Sequence, residues 1–277
     1  MSSSSEVLME RIARSLLFVP GDRPDRFEKA ASCGAHEVIL DLEDAVSPIA
    51  KGKARDEVAA WLSQSRSAIV RINAADTSWF QEDISMVQSV PSATVMLPKA
   101  DPDSLAQTAA ALPGCTIIAL LETGKGYFGL RQLASVPGLS RIAFGSVDFS
   151  AETGIVDEGE SMTSVRTQIV LESCHAGLAP PIDGVSVAFT DEELLRNDAI
   201  RSRKLGFGGK LCIHPRQVAA VNSAFCPTAS QVEWAQRVLA AFEESNGAVT
   251  TVDGLMVDKP VVEQARCIVA EADEHCN

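Results

Sequence analysis

Three carboxylates, Asp41, Glu43 and Asp44, crowd the end of the apolar stretch "VILDLEDAV". Other apolar runs finish in the same manner. Arg71 and Asn73 close "VRIN", Lys99 follows "VMLP", Glu122 follows "ALL", Asp148 lies in "FGSVDF" and His214 in "CIHP". If the carboxylates of Glu122 and Asp148 meet, they supply two oxygen ligands of the kind Mg²⁺ takes, leaving its other positions to water and substrate. The alternative is two acids that cap the helices after their strands. Arg71, turned inward, presents a planar fork of donors suited to a substrate carboxylate. Its alternative is a buried salt bridge with Glu43 or Asp44. His214 is of a type found more often in a core or loop than as a base, and no H-E-x-x-H or paired-histidine spacing points to zinc. The glycine-rich stretches "GFGGK" and "TGKGYFG" open neither as a P-loop nor as a G-x-G-x-x-G turn, which disfavours ATP and NAD.

Residues so far apart in the chain need a scaffold that returns them to one place. About eight short apolar runs recur, separated by helical stretches at intervals of roughly 20 to 35 residues. They read 15–21, 37–44, 68–73, 93–100, 116–123, 141–149, 180–187 and 209–215. Intervening segments carry helix signals, such as Pro near the start and Gly at the end of "RPDRFEKAASCG". Repeated strand–helix units without a linker-like tract predict an α/β fold, a single TIM (β/α)8 barrel, whose strand ends share one catalytic rim. Beyond the eighth run, "TASQVEWAQRVLAAFEESNG" and "DKPVVEQARCIVAEAD" read as helices flanking a turn-rich segment. We therefore expect residues 1–13 to be a flexible tail, 14–225 the barrel, and 226–277 a C-terminal helical extension that contacts a neighbouring subunit.

Composition narrows the function. The chain has 277 residues, is 46% hydrophobic and carries a net charge of −13, enough for a large core and repulsive to nucleic acid and anionic lipid. The start, "MSSSSEVLMERIAR", lacks the basic and apolar regions of a secretory signal, and no apolar run approaches a membrane span, so the expectation is a cytoplasmic protein. Seven cysteines without a C-x-x-C pair read as reduced thiols, mostly packed as small hydrophobes.

The segments "RSLLFVPGDRPDRFEKA", "VILDLEDAV", "VRIN", "LPK", "LLETGKG", "FGSVDFSAETG" and "GKLCIHPRQV" together resemble the citrate lyase beta-subunit-like group of the HpcH/HpaI aldolase/citrate lyase family, which includes malyl-CoA lyases and related CoA-ester lyases. They occur in family order over nearly the whole chain. The resemblance implies that Glu122 and Asp148 hold Mg²⁺ and that Arg71 grips the carboxylate of a 2-oxo acid. It places Phe18, Arg23 and Lys29 on the segment that contacts the coenzyme A moiety, with the backbone around His214 nearby. Two departures stand out: relatives often carry Ala-Glu where this chain has Ser146 and Val147, and "VDGLMVDKPVV" matches a C-terminal segment whose second Asp, here Asp258, serves the lyases as acid/base from an adjacent subunit. Without the resemblance, Asp258 reads as a loop residue or a helix cap. Glu43 and Asp44 are then left to orient metal-bound waters and Arg71.

The implied activity is Mg²⁺-dependent, reversible cleavage of a 3-hydroxyacyl-CoA thioester into acetyl-CoA or a homologue and a 2-oxo acid, by a homotrimer or hexamer. Rivals are a CoA-independent class II pyruvate aldolase, a citryl thioester lyase subunit, a thioester hydrolase and a non-catalytic oxo-acid-binding protein. No sequence feature names the acyl chain or the stereochemistry.

Overall fold

The computed structural model describes residues 12–90 and 93–275, so the expected tail, all but its last two residues, lies outside the described part. Each expected apolar run contains or overlaps a strand: β1 Ser15–Pro20, β2 Glu37–Asp41, β3 Ile69–Arg71, β4 Thr94–Leu97, β5 Ile117–Leu121, β6 Leu139–Phe144, which starts two residues before its run, β7 Ile182–Asp183 and β8 Gly209–Cys212. Each pairs in parallel with its successor, and β8 returns to β1 through Ser15 opposite Lys210, closing an eight-stranded barrel. The expected TIM-like fold is therefore present.

Parallel barrel strands are covered on both faces, which is why they are apolar almost throughout rather than alternating. Their inward positions can still be read from contacts. Leu16, Ile39, Ile69, Met96, Ile118, Ala143, Ile182 and Leu211, one from each strand, pack together as the barrel interior. Because strand side chains alternate with a period of two, two residues onward from these plugs are the next inward positions. Those positions are Phe18, Asp41 and Arg71, and Glu122 follows Leu120 in the same phase. One phase thus supplies both the core and, at the carboxyl rim, its polar continuation.

Helices after the strands complete the units, among them α1 Phe27–Ala31, α2 Lys51–Leu62, α3 Phe80–Ser89, α4 Pro102–Ala111, α5 Gly124–Phe128, α6 Leu130–Ala134, α7 Ser146–Thr153, α8 Thr163–His175, α9 Glu192–Lys204 and α10 Arg216–Phe225. Asp101 opens α4 in a capping box with Ser104, satisfying amides that the helix leaves unpaired.

Contacts divide the chain into two compact units, 12–222 and, in its described part, 223–275. In the second, α11 Ala229–Glu244, capped by Thr228, and α12 Lys259–His275 pack with a hairpin of β9 Thr250–Val252 and β10 Leu255–Val257. Their shared core is Ala235, Val238, Val252, Val257, Val262 and Ala265. The turn-rich segment is thus a β-hairpin. Its Asp253-Gly254 turn has positive φ at both residues, the geometry that matches strand twist and the reason for that dipeptide.

The thiols depart from expectation. Cys212 is buried, Cys33 and Cys115 are half-buried, and Cys174 and Cys267 are exposed. Cys226 is disulfide-bonded, because pairing follows folded proximity rather than sequence spacing. Among the described residues no helix is long and apolar enough to cross a membrane.

Candidate active site

At the carboxyl rim the barrel opens into a cavity of about 490 Å³, walled by Phe18, Asp41, Asp44, Arg71, Glu122 and Asp148 among apolar residues. Arg71 organises one side. Its Nε donates to Asp41 Oδ1 at 2.7 Å and its Nη2 to Asp41 Oδ2 at 2.6 Å, a side-on bidentate pair between residues directly opposite in the β2–β3 register. Its Nη1 lies 3.0 Å from Glu43 Oε2, which is otherwise buried without a hydrogen-bond partner. The guanidinium also stacks 4.8 Å from the centre of the Phe18 ring.

The expectation for Arg71's partners needs correction. Asp44 is exposed on the cavity wall, and Asp41 takes the place next to Arg71. The cause is strand phase: Asp41 and Arg71 both face inward, whereas Asp44 lies beyond the strand. Asp41 also accepts the backbone N–H groups of Glu43 and Ala45, so it shapes the turn that carries the other two acids. Arg71 has five N–H donors, and two are spent on Asp41. Donors on Nη1 and Nη2 are left to meet a ligand carboxylate end-on.

Glu122, immediately after β5, faces Arg71 from across the rim. Its Oε2 accepts the backbone N–H of Lys99 at 2.8 Å. Gly145 makes room for it: a Cβ there would fall 2.3 Å from Glu122 Cγ, which no side chain tolerates. Asp148 enters the same cavity from the first turn of α7, one turn past β6 rather than at the strand end itself. Burial, then the charge of Glu43 and, more weakly, of Asp148, pushes the Glu122 carboxyl up to about 8. Burial likewise pushes Glu43 up to about 7, against the attraction of Arg71. Against the burial that would depress it, the hydrogen bonding and charge of Asp41 hold the Arg71 guanidinium above its usual value.

These acids pose the question of a cation. No group of three or more His, Cys, Asp or Glu side chains converges among the described residues. Two carboxylates do share the cavity, and burial leaves the charge of Glu122 poorly compensated. An all-oxygen pair with open positions suits Mg²⁺, which retains water and takes up substrate oxygens, so the residues fit the ion.

A further polar layer lies behind the cavity. Arg166 on α8 donates to Asp183 and, by both Nη atoms, to Asp157, with Phe144 stacked 5.1 Å away. Ser146, buried two residues before Asp148, helps with Arg166 to hold the Asp157 carboxyl below its usual value against the burial that would raise it. Sequence reasoning missed this network, Asp41 and Lys99 as site residues; the regular spacing of polar strand ends was the available signal.

Arg23, Lys29 and His214 are not among the residues that wall the cavity. Arg23 is exposed and ion-paired with Asp25 at 2.9 Å, and Lys29 is exposed on α1. The His214 ring stacks 4.9 Å from Phe189 while its Nδ1 accepts the Arg216 N–H. Asp258, in the second unit, caps α12, its Oδ1 accepting the Val261 N–H at 3.3 Å.

Comparison with known proteins decides the relationship. Residues 14–215 match the family model described as HpcH/HpaI aldolase/citrate lyase. The chain belongs to this family. Within the HpcH/HpaI family it is 33% identical over 269 residues to a (3S)-malyl-CoA thioesterase of Cereibacter sphaeroides, covering 94% of each chain. It is 34% identical over 281 residues to a citrate lyase subunit beta-like protein of Deinococcus radiodurans, covering 94% of this chain and 97% of the relative. Its fold is similar, with a TM-score of 0.84 and 32% identity, to CitE from Mycobacterium tuberculosis in complex with magnesium, acetoacetate and coenzyme A, covering 95% and 99%.

Proposed function

We propose that this HpcH/HpaI family member is a Mg²⁺-dependent CoA-ester lyase that reversibly cleaves a 3-hydroxyacyl-CoA thioester into acetyl-CoA or a homologue and a 2-oxo acid. The observation that carries this reading is the opposition, across one cavity, of Arg71 and the Glu122–Asp148 pair. A 2-oxo acid presents a carboxylate next to a carbonyl, one for each side. Magnesium, acetoacetate and coenzyme A in the related CitE structure support the same division of labour.

Glu122 and Asp148 hold Mg²⁺, which when bound polarises the ketone or alkoxide oxygen as a Lewis acid. Arg71, made rigid by Asp41 and Phe18, orients the adjacent carboxylate through Nη1 and Nη2. Glu43 holds Nη1 from behind, and Asp44 orients water at the cavity wall. Phe18, Arg23, Lys29 and the backbone at His214 receive the coenzyme A portion. Asp258, delivered by a neighbouring subunit of a trimer or hexamer, takes the hydroxyl proton. As that proton leaves, the bond between C2 and C3 breaks, its electron pair passes to a thioester enolate, and protonation of the enolate releases acetyl-CoA.

A second reading, thioester hydrolysis, has its own support in the resemblance to a malyl-CoA thioesterase. One assay separates the two. The purified protein is incubated with Mg²⁺ and a panel of 3-hydroxyacyl-CoA esters, and free thiol and product masses are followed. Cleavage gives acetyl-CoA and a 2-oxo acid with no new thiol, whereas hydrolysis gives coenzyme A thiol and an intact hydroxy acid. Absence of both products across malyl-, citramalyl- and citryl-CoA would overturn the proposal.

A further inference from the structure

Lys99 adopts a backbone conformation unsuited to its side chain, with φ of +48° directly after β4. The other non-glycine residues with positive φ among the described residues are Ser65, Asn246 and Asp253. Ser65 follows α2, Asn246 follows α11, and Asp253 forms the hairpin turn, positions where this geometry closes a helix or a turn. Asn and Asp also have short polar side chains that ease the left-handed region, and lysine has no such compensation. Lys99 also lies in a turn, directly after Pro98, so the turn and the contacts Lys99 makes together maintain its left-handed backbone. Strain of this kind persists where surrounding interactions over-determine it.

Those contacts are two carboxylates. The backbone N–H of Lys99 donates to Glu122 Oε2 at 2.8 Å, and its Nζ lies 3.3 Å from Glu43 Oε1. Because φ sets the angle between a residue's own N–H and its side chain, the left-handed geometry is what lets one residue hold both acids. Glu43, in turn, stands 3.0 Å from Arg71 Nη1. Lys99 is half-exposed and does not line the cavity, so it touches neither the ligand space nor the Glu122 oxygen left for a cation.

We infer that Lys99 is a positioning residue with two separable arms: its strained backbone fixes Glu122 on the cation side of the site, and its ammonium fixes Glu43, and through it Arg71, on the carboxylate side. The inference rests on the proposed function for the two ligands, and it adds a residue that couples their halves. Its consequence is that each arm can be removed by itself.

Three variants of the full-length protein make the test, read by calorimetric titration with Mg²⁺ alone and then with pyruvate or oxaloacetate in saturating Mg²⁺. Lys99→Met removes the ammonium and keeps an unbranched chain, so Mg²⁺ affinity should stay within about twofold while oxo-acid affinity falls about tenfold, the scale of one charge-assisted contact. Lys99→Arg should recover most of that loss. Lys99→Ile also lacks the ammonium, and its β-branched chain resists positive φ, so here Mg²⁺ affinity should fall about tenfold as well. Thermal melting accompanies each titration. If Lys99→Ile does not fold, Lys99→Gly, which eases the strained φ, should bind Mg²⁺ at least as well as Lys99→Met. Equal oxo-acid affinity in Lys99→Met and wild type overturns the ammonium arm. Unchanged Mg²⁺ affinity in folded Lys99→Ile, or weaker Mg²⁺ binding by Lys99→Gly than by Lys99→Met, overturns the backbone arm. If wild type itself binds neither ligand, the proposed function fails rather than this inference.

Discussion

Arg71 performs two tasks that pull a mutation in different directions. It binds a ligand in the proposed reaction, and it neutralises Asp41 and Glu43 inside the rim. Arg71→Lys keeps the charge but loses the planar fork, so oxo-acid affinity should drop at least about tenfold. The melting temperature should fall as well, because a lysine cannot satisfy both oxygens of Asp41 and reach Glu43 together. Titration calorimetry and thermal melting on the same sample check both halves. Glu122→Gln and Asp148→Asn act on the other side, each keeping its size while weakening one oxygen ligand. Both should weaken Mg²⁺ binding and activity in parallel, and chelation of wild type should abolish turnover. Above about pH 8, where the Glu122 carboxyl of metal-free protein is ionised, Glu122→Gln should also raise the melting temperature, since a buried and poorly compensated carboxylate is lost. Full activity in thoroughly chelated enzyme would refute the metal assignment.

At the scale of elements, strands were legible where polar pairings were not. An apolar run bounded by turn residues announces a barrel strand whatever its neighbours, and all the expected runs contained or overlapped one. Which acid meets Arg71 depends on register between β2 and β3, a property of two strands that neither states alone. Asp41, the true bidentate partner, therefore read as one acid among three. The buried network across β7 and α8 was invisible for the same reason, since Asp183 and Arg166 become partners only in the fold. Its energetics are testable. Burial would raise the Asp183 carboxyl, but the charges of Lys210 and Arg166 with hydrogen bonds from Ser202 and Gly184 hold it below its ordinary 3.8. A carboxyl depressed on folding stabilises the native state above its unfolded value and loses that contribution as pH falls through the folded value. Asp183→Asn should thus cost about 3–5 kcal/mol at neutral pH by leaving buried cations unpaired. It should also flatten the dependence of stability on pH below about pH 4. Urea unfolding at pH 7 and across the acid range measures both, and a neutral-pH change below about 1 kcal/mol would show that solvent compensates the network.

The whole molecule is two compact units, and the proposed reaction assigns a residue from each. Asp258 caps α12, so its place in the sequence already has a structural explanation that needs no chemistry. Subunit complementation separates the two roles. Asp258→Asn subunits, lacking the proton shuttle, are dissociated and reassembled with Arg71→Ala subunits, lacking the carboxylate grip. If sites are shared between neighbours, mixed oligomers should recover up to about a quarter of wild-type activity, the fraction expected from random pairing. Co-assembly without recovery would confine Asp258 to its own subunit or to its helix cap. A shared site would be the feature least legible in the chain, because sequence patterns describe what a segment folds into and not which copy of the chain it serves.

The inward phase that runs from Leu16, Ile39, Ile69 and Leu120 into Phe18, Asp41, Arg71 and Glu122 has a consequence for how such a protein can change over generations. Losing one residue inside a strand exchanges the two faces beyond the lesion, so chemistry and core fail together. Length variation is therefore barred from the strands and admitted in the loops that follow them. A lineage of this chain can reshape its cavity by lengthening a rim loop, while the strands that hold the acids and the arginine change only letter by letter.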